Sequence, residues 1–561
     1  MARSSRNFGE VIGDVPAWKP HEAPLLPGSP STPDFSPGTR LIYGLVGLLL
    51  GVTGALGSAL LTVNLPAIQG ALGLEPAQGA WISAAYVMGG VAMNLLLIKY
   101  RQQFGLGSFV KVFLGLYAAA AVAQALLADP TWALAVRVVS GVAGAAMTTF
   151  TIFYMLQAFD AQRRLVGLAI GIGLVQVGFP LARVISPALL DLDDWTLVCI
   201  FEAGMALACL AAVLAVPLPR GVRYHVFEPQ DATSFVLMAG GLGLLAAVAA
   251  QGRIQWWFEA SWIGWALALA IACLLAAAVL EHRRQNPLID TRWVSTPDFL
   301  RFAVSILLVR ILLSEQTYAG PGLLAAVGMG PEQQQLLNGV ILIAVLAGVA
   351  ASGLLLAVSP KFVLLMDLAA PALIVIAALM DAQATVQTHP ASLFLSQAIM
   401  GFAGAMYICA AFLVGFLLLF VRGVASVITF IVTFSVAQML GGLLGPTLAG
   451  TLQILRANHH SAYLVEQLAV GDPQVAAAVR ALAAPQAGVV TDPGLLAGSG
   501  LSPLAQQVAQ QANILAFNDV FLAIAAIAIV HLLFSIPALL ALGAKLKAAP
   551  LPMPGAAPAA A

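Results

Sequence analysis

Six charged side chains stand inside long apolar runs of this sequence: Arg137, Arg183, Glu202, Arg310, Glu315 and Asp367. A charge at the centre of a bilayer costs at least about 2.5–3.5 kcal/mol on insertion scales, so such residues are usually functional. The three carboxyl groups can take up and release protons. The three guanidinium groups stay charged at any working pH and can only pair, orient or attract. The chain has no phosphate-cradling Gly-rich loop ending in Gly-Lys-Ser/Thr, no zinc-ligand spacing and no nucleophile elbow. These absences speak against ATP as a direct driver, against a metal or other cofactor and against an enzyme.

The elements that must hold these charges follow from composition. Of 561 residues, 60% are hydrophobic and 9% charged, with a mean hydropathy of +0.94. A soluble domain is about 45–50% apolar and roughly 25% charged, so lipid is the solvent that fits, and nothing suggests a nucleic-acid partner. Cys199, Cys209, Cys273 and Cys409 lie in apolar runs without Cys-x-x-Cys spacing and read as small core residues.

A spanning helix needs about 20 mostly apolar residues. Fourteen such stretches are found at about 41–65, 79–98, 109–128, 131–156, 165–189, 196–217, 232–250, 260–280, 299–320, 336–358, 362–381, 391–420, 425–453 and 514–543. With the N-terminus inside, nineteen of the 25 Lys and Arg fall on inner segments. Only Arg253, Arg456 and Arg480 fall outside, and Arg137, Arg183 and Arg310 lie within spans. Basic residues collect on the cytoplasmic side, so both termini are expected there. Residues 1–39, polar and rich in Pro and Ser, and the Pro/Ala tail 546–561 read as disordered. The one long loop, 454–513, lies outside, with room for a short helix near 474–483.

A repeat shows through. Span 4 carries Gly141-Val-Ala-Gly144-Ala145, and span 12 carries Gly401-Phe-Ala-Gly404-Ala405, 260 residues later. Gly/Ala pairs recur by chance in Ala-rich spans, but repeated bundles with the substrate site between them are the usual transporter plan. The expected organisation is an all-α membrane protein of two six-helix bundles, 40–218 and 293–545, with an inserted pair, spans 7 and 8, in 219–292.

Depth along the spans adds a pairing. Arg137, Arg183 and Glu202 each lie six residues from the outer end of their span, roughly 9 Å at 1.5 Å per residue. Spans 5 and 6 are antiparallel neighbours, so an Arg183–Glu202 ion pair is expected, as a clamp or as a switch. Asp367 lies near the cytoplasmic end of span 11, where it would cap a helix or meet a lipid headgroup. Asp160 and Arg164, four apart, read as a surface helix pair.

Several segments resemble the fourteen-span drug:proton antiporters of the major facilitator superfamily, the EmrB/QacA type. Span 1 ends Leu60-Leu61-Thr62-Val63-Asn64-Leu65-Pro66-Ala67-Ile68, and span 2 opens Gln78-Gly79-Ala80-Trp81. Span 4 has Arg137-Val-Val-Ser140-Gly141-Val-Ala-Gly144. Span 8 is followed by the most specific segment, Glu281-His282-Arg283-Arg284-Gln285-Asn286-Pro287-Leu288-Ile289-Asp290, then Arg292. Arg456-Ala-Asn-His459-His460 and Asn518-Asp519-Val-Phe521 match the stretches flanking the outer loop, and span 13 keeps Gly445-Pro446-Thr447-Leu448-Ala449-Gly450. The departures are as informative. Gly57 stands where the family has a span-1 Asp, and Gln102 where the loop between spans 2 and 3 has its Asp. Near Ala182-Arg183-Val-Ile-Ser186-Pro187 the span-5 glycines are gone and an Arg has come in.

The resemblance implies a major facilitator fold in a bacterial inner membrane, exporting small amphipathic or aromatic compounds by proton antiport. It also points to a periplasmic adaptor and an outer-membrane channel as partners. Alternatives are a dedicated metabolite or siderophore exporter, and a membrane sensor that kept the fold and lost coupling. Glu315 is the leading proton carrier, because span 9 is the repeat partner of span 1 and Glu315 lies within about one turn of the position equivalent to Gly57. Structural pairing of Glu315 with a neighbouring helix is the plain alternative. Arg137 matches the span-4 Arg that the resemblance ties to coupling; packing alone would also account for it. Glu202 and Arg183 complete the coupling candidates. Gln316, Tyr318, Gln397 and Tyr407 are cavity candidates by span position.

Overall fold

The computed structural model describes residues 10–13, 18–19, 22–24, 26–126, 130–190, 194–423, 426–469 and 471–548. Apart from one isolated bridge between Val11 and Tyr224, their regular structure is helical. Twelve helical stretches are long and apolar enough to cross a membrane.

In the N-terminal part these are α1 (Pro37–Val63), α2 (Pro76–Leu126), α3 (Thr131–Ala158), α4 (Arg164–Leu189) and α5 (Thr196–Ala215). The pair expected from sequence as an insertion is α6 (Gln230–Gln251) and α7 (Ser261–Arg283). The C-terminal part begins with α8 (Pro297–Leu312), which passes through a π-helical turn, Glu315–Ala319, into α9 (Gly320–Ala326). It continues with α10 (Gln335–Val358), α11 (Phe362–Asp381), α12 (Phe394–Arg422), α13 (Val427–Glu466), the short outer α14 (Pro473–Ala483) and α15 (Pro493–Ala548).

Against the fourteen expected spans, the differences have local causes. Expected spans 2 and 3 lie in the 51-residue α2, which bends at Gly105. Gly105 has φ 81°, a region that L side chains rarely adopt. Expected span 9 is split by the π turn, so neither piece is long enough alone. The outer loop is made largely of helix. α13 runs on to Glu466, α15 starts at Pro493, and the short helix expected near 474–483 is α14.

The repeated glycines mark equivalent crossings. A Cβ on Gly141 would lie 2.0 Å from the Tyr86 carbonyl oxygen of α2. A Cβ on Gly401 would lie 3.2 Å from the Ile341 carbonyl oxygen of α10. In each part the span carrying the repeat therefore packs closely on the span two before it, the small-residue contact usual between helices in lipid.

The segment after α7 ties the inserted pair to both parts. Arg284 reaches Asp231 at 2.7 Å, Glu281 at 2.8 Å and Glu228 at 2.9 Å, and Lys99 of α2 meets Asp231 at 2.6 Å. Glu281 accepts from Ser234 and from the backbone of Leu288. Asp290 caps the following turn through Trp293 N, takes Arg422 of α12 at 3.4 Å, and donates its own backbone N–H to Thr429 of α13 at 2.8 Å. These are the positions quoted above as the most specific segment.

Residues 26–36, read from sequence as disordered tail, pack against the bundle instead. Ser29 and Ser31 are buried, and Gln157 and Arg164 donate to Ser31 and Thr32. Polar groups of α3 and α4 are satisfied by this passing backbone. Arg164 is thus turned inward, and Asp160 meets Arg40 at 3.9 Å instead of forming the expected pair with Arg164. The C-terminal residues 549–561 lie outside the described residues.

Candidate functional site

A cavity of about 300 Å³ opens between the N- and C-terminal parts. Its lining includes Arg101, Arg137, Arg183 and Arg310, the amides of Asn94, Gln176, Gln316 and Gln438, and a wall of phenylalanines from α12 and α13. Leu26 and Ser29 close it beside Arg101. Gln102, at the position of the missing loop Asp, donates to the Pro27 carbonyl at 3.3 Å and so holds this segment.

The first acid centre joins α1, α3 and α5. Glu202 lies 3.9 Å from Arg137, both fully buried. Arg137 also donates to the Gly57 carbonyl at 3.2 Å and stacks its guanidinium 4.6 Å from the Tyr86 ring. A Cβ on Gly57 would lie 2.1 Å from the Tyr117 hydroxyl and 3.5 Å from Glu202 Oε1. The space beside Gly57 is therefore filled by a phenol from α2 and a carboxylate from α5.

This corrects the expected Arg183–Glu202 pair. Equal depth does not fix which way two side chains point. Glu202 faces α1 and α3, whereas Arg183 faces the C-terminal part and donates to the carbonyls of Gln316 at 2.7 Å and Thr317 at 3.0 Å. Those carbonyls belong to the π turn, where the regular i→i−4 ladder is interrupted.

The second acid centre lies in that turn. Glu315 is fully buried, and so is Asp381 at the end of α11. Gln397 of α12 straps the pair, donating to Asp381 at 2.6 Å and to Glu315 at 3.3 Å. Glu315 Oε2 and Asp381 Oδ1 have no hydrogen-bond partner among the described residues. One amide thus bridges two buried acids that have no cationic partner among the described residues. Gln316, the next residue, lines the cavity and donates to the Gln397 carbonyl at 3.0 Å. The acid pair thus sits just behind the cavity wall.

The sequence candidates divide accordingly. Arg137, Arg183 and Gln316 line the cavity, and Glu202, Glu315 and Gln397 stand behind it. Tyr318 packs under Arg253, ring centroid 5.2 Å away, and donates to Gln453 at 3.4 Å. Tyr407 is hydrogen-bonded to His531 of α15. Neither tyrosine is among the cavity-lining residues. Asp367, expected at a helix cap or a headgroup, is buried within the protein. Asp381 was missed because it is the last residue of its span and reads as a boundary. Arg456 and His460 of α13 converge on Asp519 of α15 at 2.6 and 2.7 Å, which joins the two motif stretches flanking the outer loop.

No protein-family model matches the chain. It is 23% identical over 297 residues to the multidrug export protein EmrB of Haemophilus influenzae, a match covering 50% of this chain and 58% of that protein. It is 24% identical over 216 residues to the uncharacterized MFS-type transporter Rv1250 of Mycobacterium tuberculosis, covering 38% of this chain and 36% of the other. Both matches span less than two thirds of the relatives' own lengths. Among solved structures, the proton:xylose symporter XylE of the major facilitator superfamily superposes with a TM-score of 0.50 at 14% identity, covering 86% of this chain and 95% of that one. That likeness gives the fold. With its apolar spanning helices, this makes the chain a multi-pass membrane protein with the fold of the major facilitator transporters, similar in sequence to EmrB.

Proposed function

We propose that the chain is a proton-driven exporter of small amphipathic or aromatic compounds, working by alternating access around the central cavity. In this reading it has fourteen spans, with α2 crossing twice and α8–α9 once, and both termini lie on the cytoplasmic face of a bacterial inner membrane. The observation that carries the proposal is the Glu315–Asp381 pair, two buried acids bridged by Gln397 one residue behind the cavity wall at Gln316. As the cavity faces each side in turn, the pair gains or gives up a proton. Arg183 ties the same turn to α4 in the opposite part, so a change at the pair is felt at the interface between the two halves.

The Arg137–Glu202 centre holds α1, α3 and α5 together around Gly57. Its carboxylate replaces, from another helix, the acid that the resemblance places on span 1. Two buried acid centres around one cavity favour a transporter over a sensor. The periplasmic adaptor and outer-membrane channel rest on the resemblance alone.

Inside-out vesicles test the proposal. An acid-inside pH gradient should drive accumulation of a fluorescent aromatic substrate, and collapsing the gradient with nigericin should release it. Accumulation indifferent to the gradient, or none for any compound, would contradict it.

A further inference from the structure

The charges around the cavity are one-sided. Four arginines line it, and no Asp or Glu is among the lining residues. Arg137 has its counter-charge in Glu202. Arg101, Arg183 and Arg310 have no carboxylate partner among the described residues. Arg183 is engaged by two backbone carbonyls, and Arg101 lies 4.8 Å from the Phe153 ring. Arg310 has an open outer fork. Its stem packs on Gly441 of α13, its Nε donates to Gln438, and its two terminal nitrogens have no hydrogen-bond partner among the described residues. A guanidinium cannot shed its proton to escape this setting. A carboxylate accepted by the outer fork of Arg310 would supply the missing charge, in the two-bond geometry that arginine favours.

The wall beyond it is aromatic. Phe412 packs against Phe430 and Phe434, with ring centroids 5.3 and 4.9 Å apart, and all three line the cavity. We propose that the cavity takes organic anions, with the carboxylate on Arg310 and Gln438 and an aromatic or apolar body on the Phe412–Phe434 wall. This rests on the export reading and names its substrate class. A cation would meet three uncompensated positive charges at close range, with no acid on the wall to receive it. Efflux of an anion from a cell that is negative inside is also assisted by the membrane potential, as is the inward movement of a proton.

The test uses the full chain in nanodiscs and three ligands with one ring system: 2-naphthoate, 2-naphthamide and 2-naphthylmethylammonium. Naphthoate should bind tightest and the ammonium weakest. Arg310→Gln should weaken naphthoate about ten-fold or more, the loss typical of a charge-assisted bond, and leave naphthamide within about two-fold. Arg310→Lys should fall between. Ammonium binding as tight as naphthoate, or naphthoate binding unchanged in a folded Arg310→Gln, overturns the proposal; should that variant not fold, the ligand ranking on the wild type decides. Gradient-driven transport of the same compounds separates the two readings. If the ammonium is pumped and naphthoate neither binds nor moves, the anion site fails and export stands. If naphthoate binds through Arg310 but nothing moves, export fails and the anion site stands.

Discussion

The carboxylate of Glu202 stands 3.9 Å from the guanidinium of Arg137, and Oε1 of Glu202 lies 3.5 Å from where a Cβ on Gly57 would sit. An acid that belongs to span 1 in the family this chain resembles is thus delivered to nearly the same space by α5. The swap requires Gly57 to stay small, because Tyr117 occupies the rest of the space.

Gly57→Ala is therefore expected to lower stability by about 1–3 kcal/mol, the range for an overpacked core. Tyr117→Phe should relieve much of that loss, since the 2.1 Å conflict is with the hydroxyl and the next ring atom is 3.2 Å away. Melting temperatures of the detergent-solubilised single and double variants measure this. A Tyr117→Phe background that leaves the Gly57→Ala loss unchanged would show that the space is not shared in this way.

Arg137 and Glu202 should be coupled and Arg183 and Glu202 independent. Removing one partner of a buried ion pair costs about 3–5 kcal/mol, and removing the second restores part of it. Arg137→Ala with Glu202→Ala should thus be less damaging than the sum of the two. Arg183→Ala with Glu202→Ala should add within about 0.5 kcal/mol. Folded yield and melting temperature across both double-mutant cycles distinguish the two patterns.

The fold was legible because lipid imposes it. Runs of about 20 apolar residues and basic inner loops mark spans whatever their packing, and the Gly141 and Gly401 segments carry the repeat in their spacing. Side-chain direction was not legible. Arg183 and Glu202 share a depth, but their orientation depends on helix rotation about the bundle, which a linear count does not contain. Asp381 looked like the end of a span, and only the path of α12 brings Gln397 over it. The segment Glu281 to Asp290 was recognised by resemblance. Its cause, a buried charge network with Lys99 and Arg422, needs residues more than 130 positions away in the chain on either side of it.

That network makes its own prediction. Arg284→Ala leaves Glu281 without a counter-charge and Asp231 with Lys99 alone, and should cost about 3–5 kcal/mol. The loss should appear first as proteolysis in the 219–229 and 284–296 connections. Arg283→Ala, one residue away and exposed, serves as the control and should behave like wild type.

Glu228 gives the network a pH signature. Burial works to raise its carboxyl, but hydrogen bonds from Arg284 and Asn286 and the charges of Arg284 and Lys99 outweigh burial and hold it below its ordinary value. A depressed carboxyl stabilises the fold above its unfolded pKa, about 4.3, and that contribution is lost as pH falls through the folded value. Melting temperature should therefore drop on acidification below about pH 4.3, and Glu228→Gln should drop less steeply. Parallel curves would exclude Glu228 from the acid response.

The central claim is that proton uptake and release at the Glu315–Asp381 pair drives transport. Glu315→Gln keeps size and hydrogen bonding but cannot titrate. In inside-out vesicles with an imposed acid-inside gradient, the Glu315→Gln protein should reach the membrane, bind substrate and exchange it across the bilayer, yet build no concentration difference. Accumulation by Glu315→Gln equal to that of the wild type would contradict the account and shift the coupling to Glu202 or Asp367.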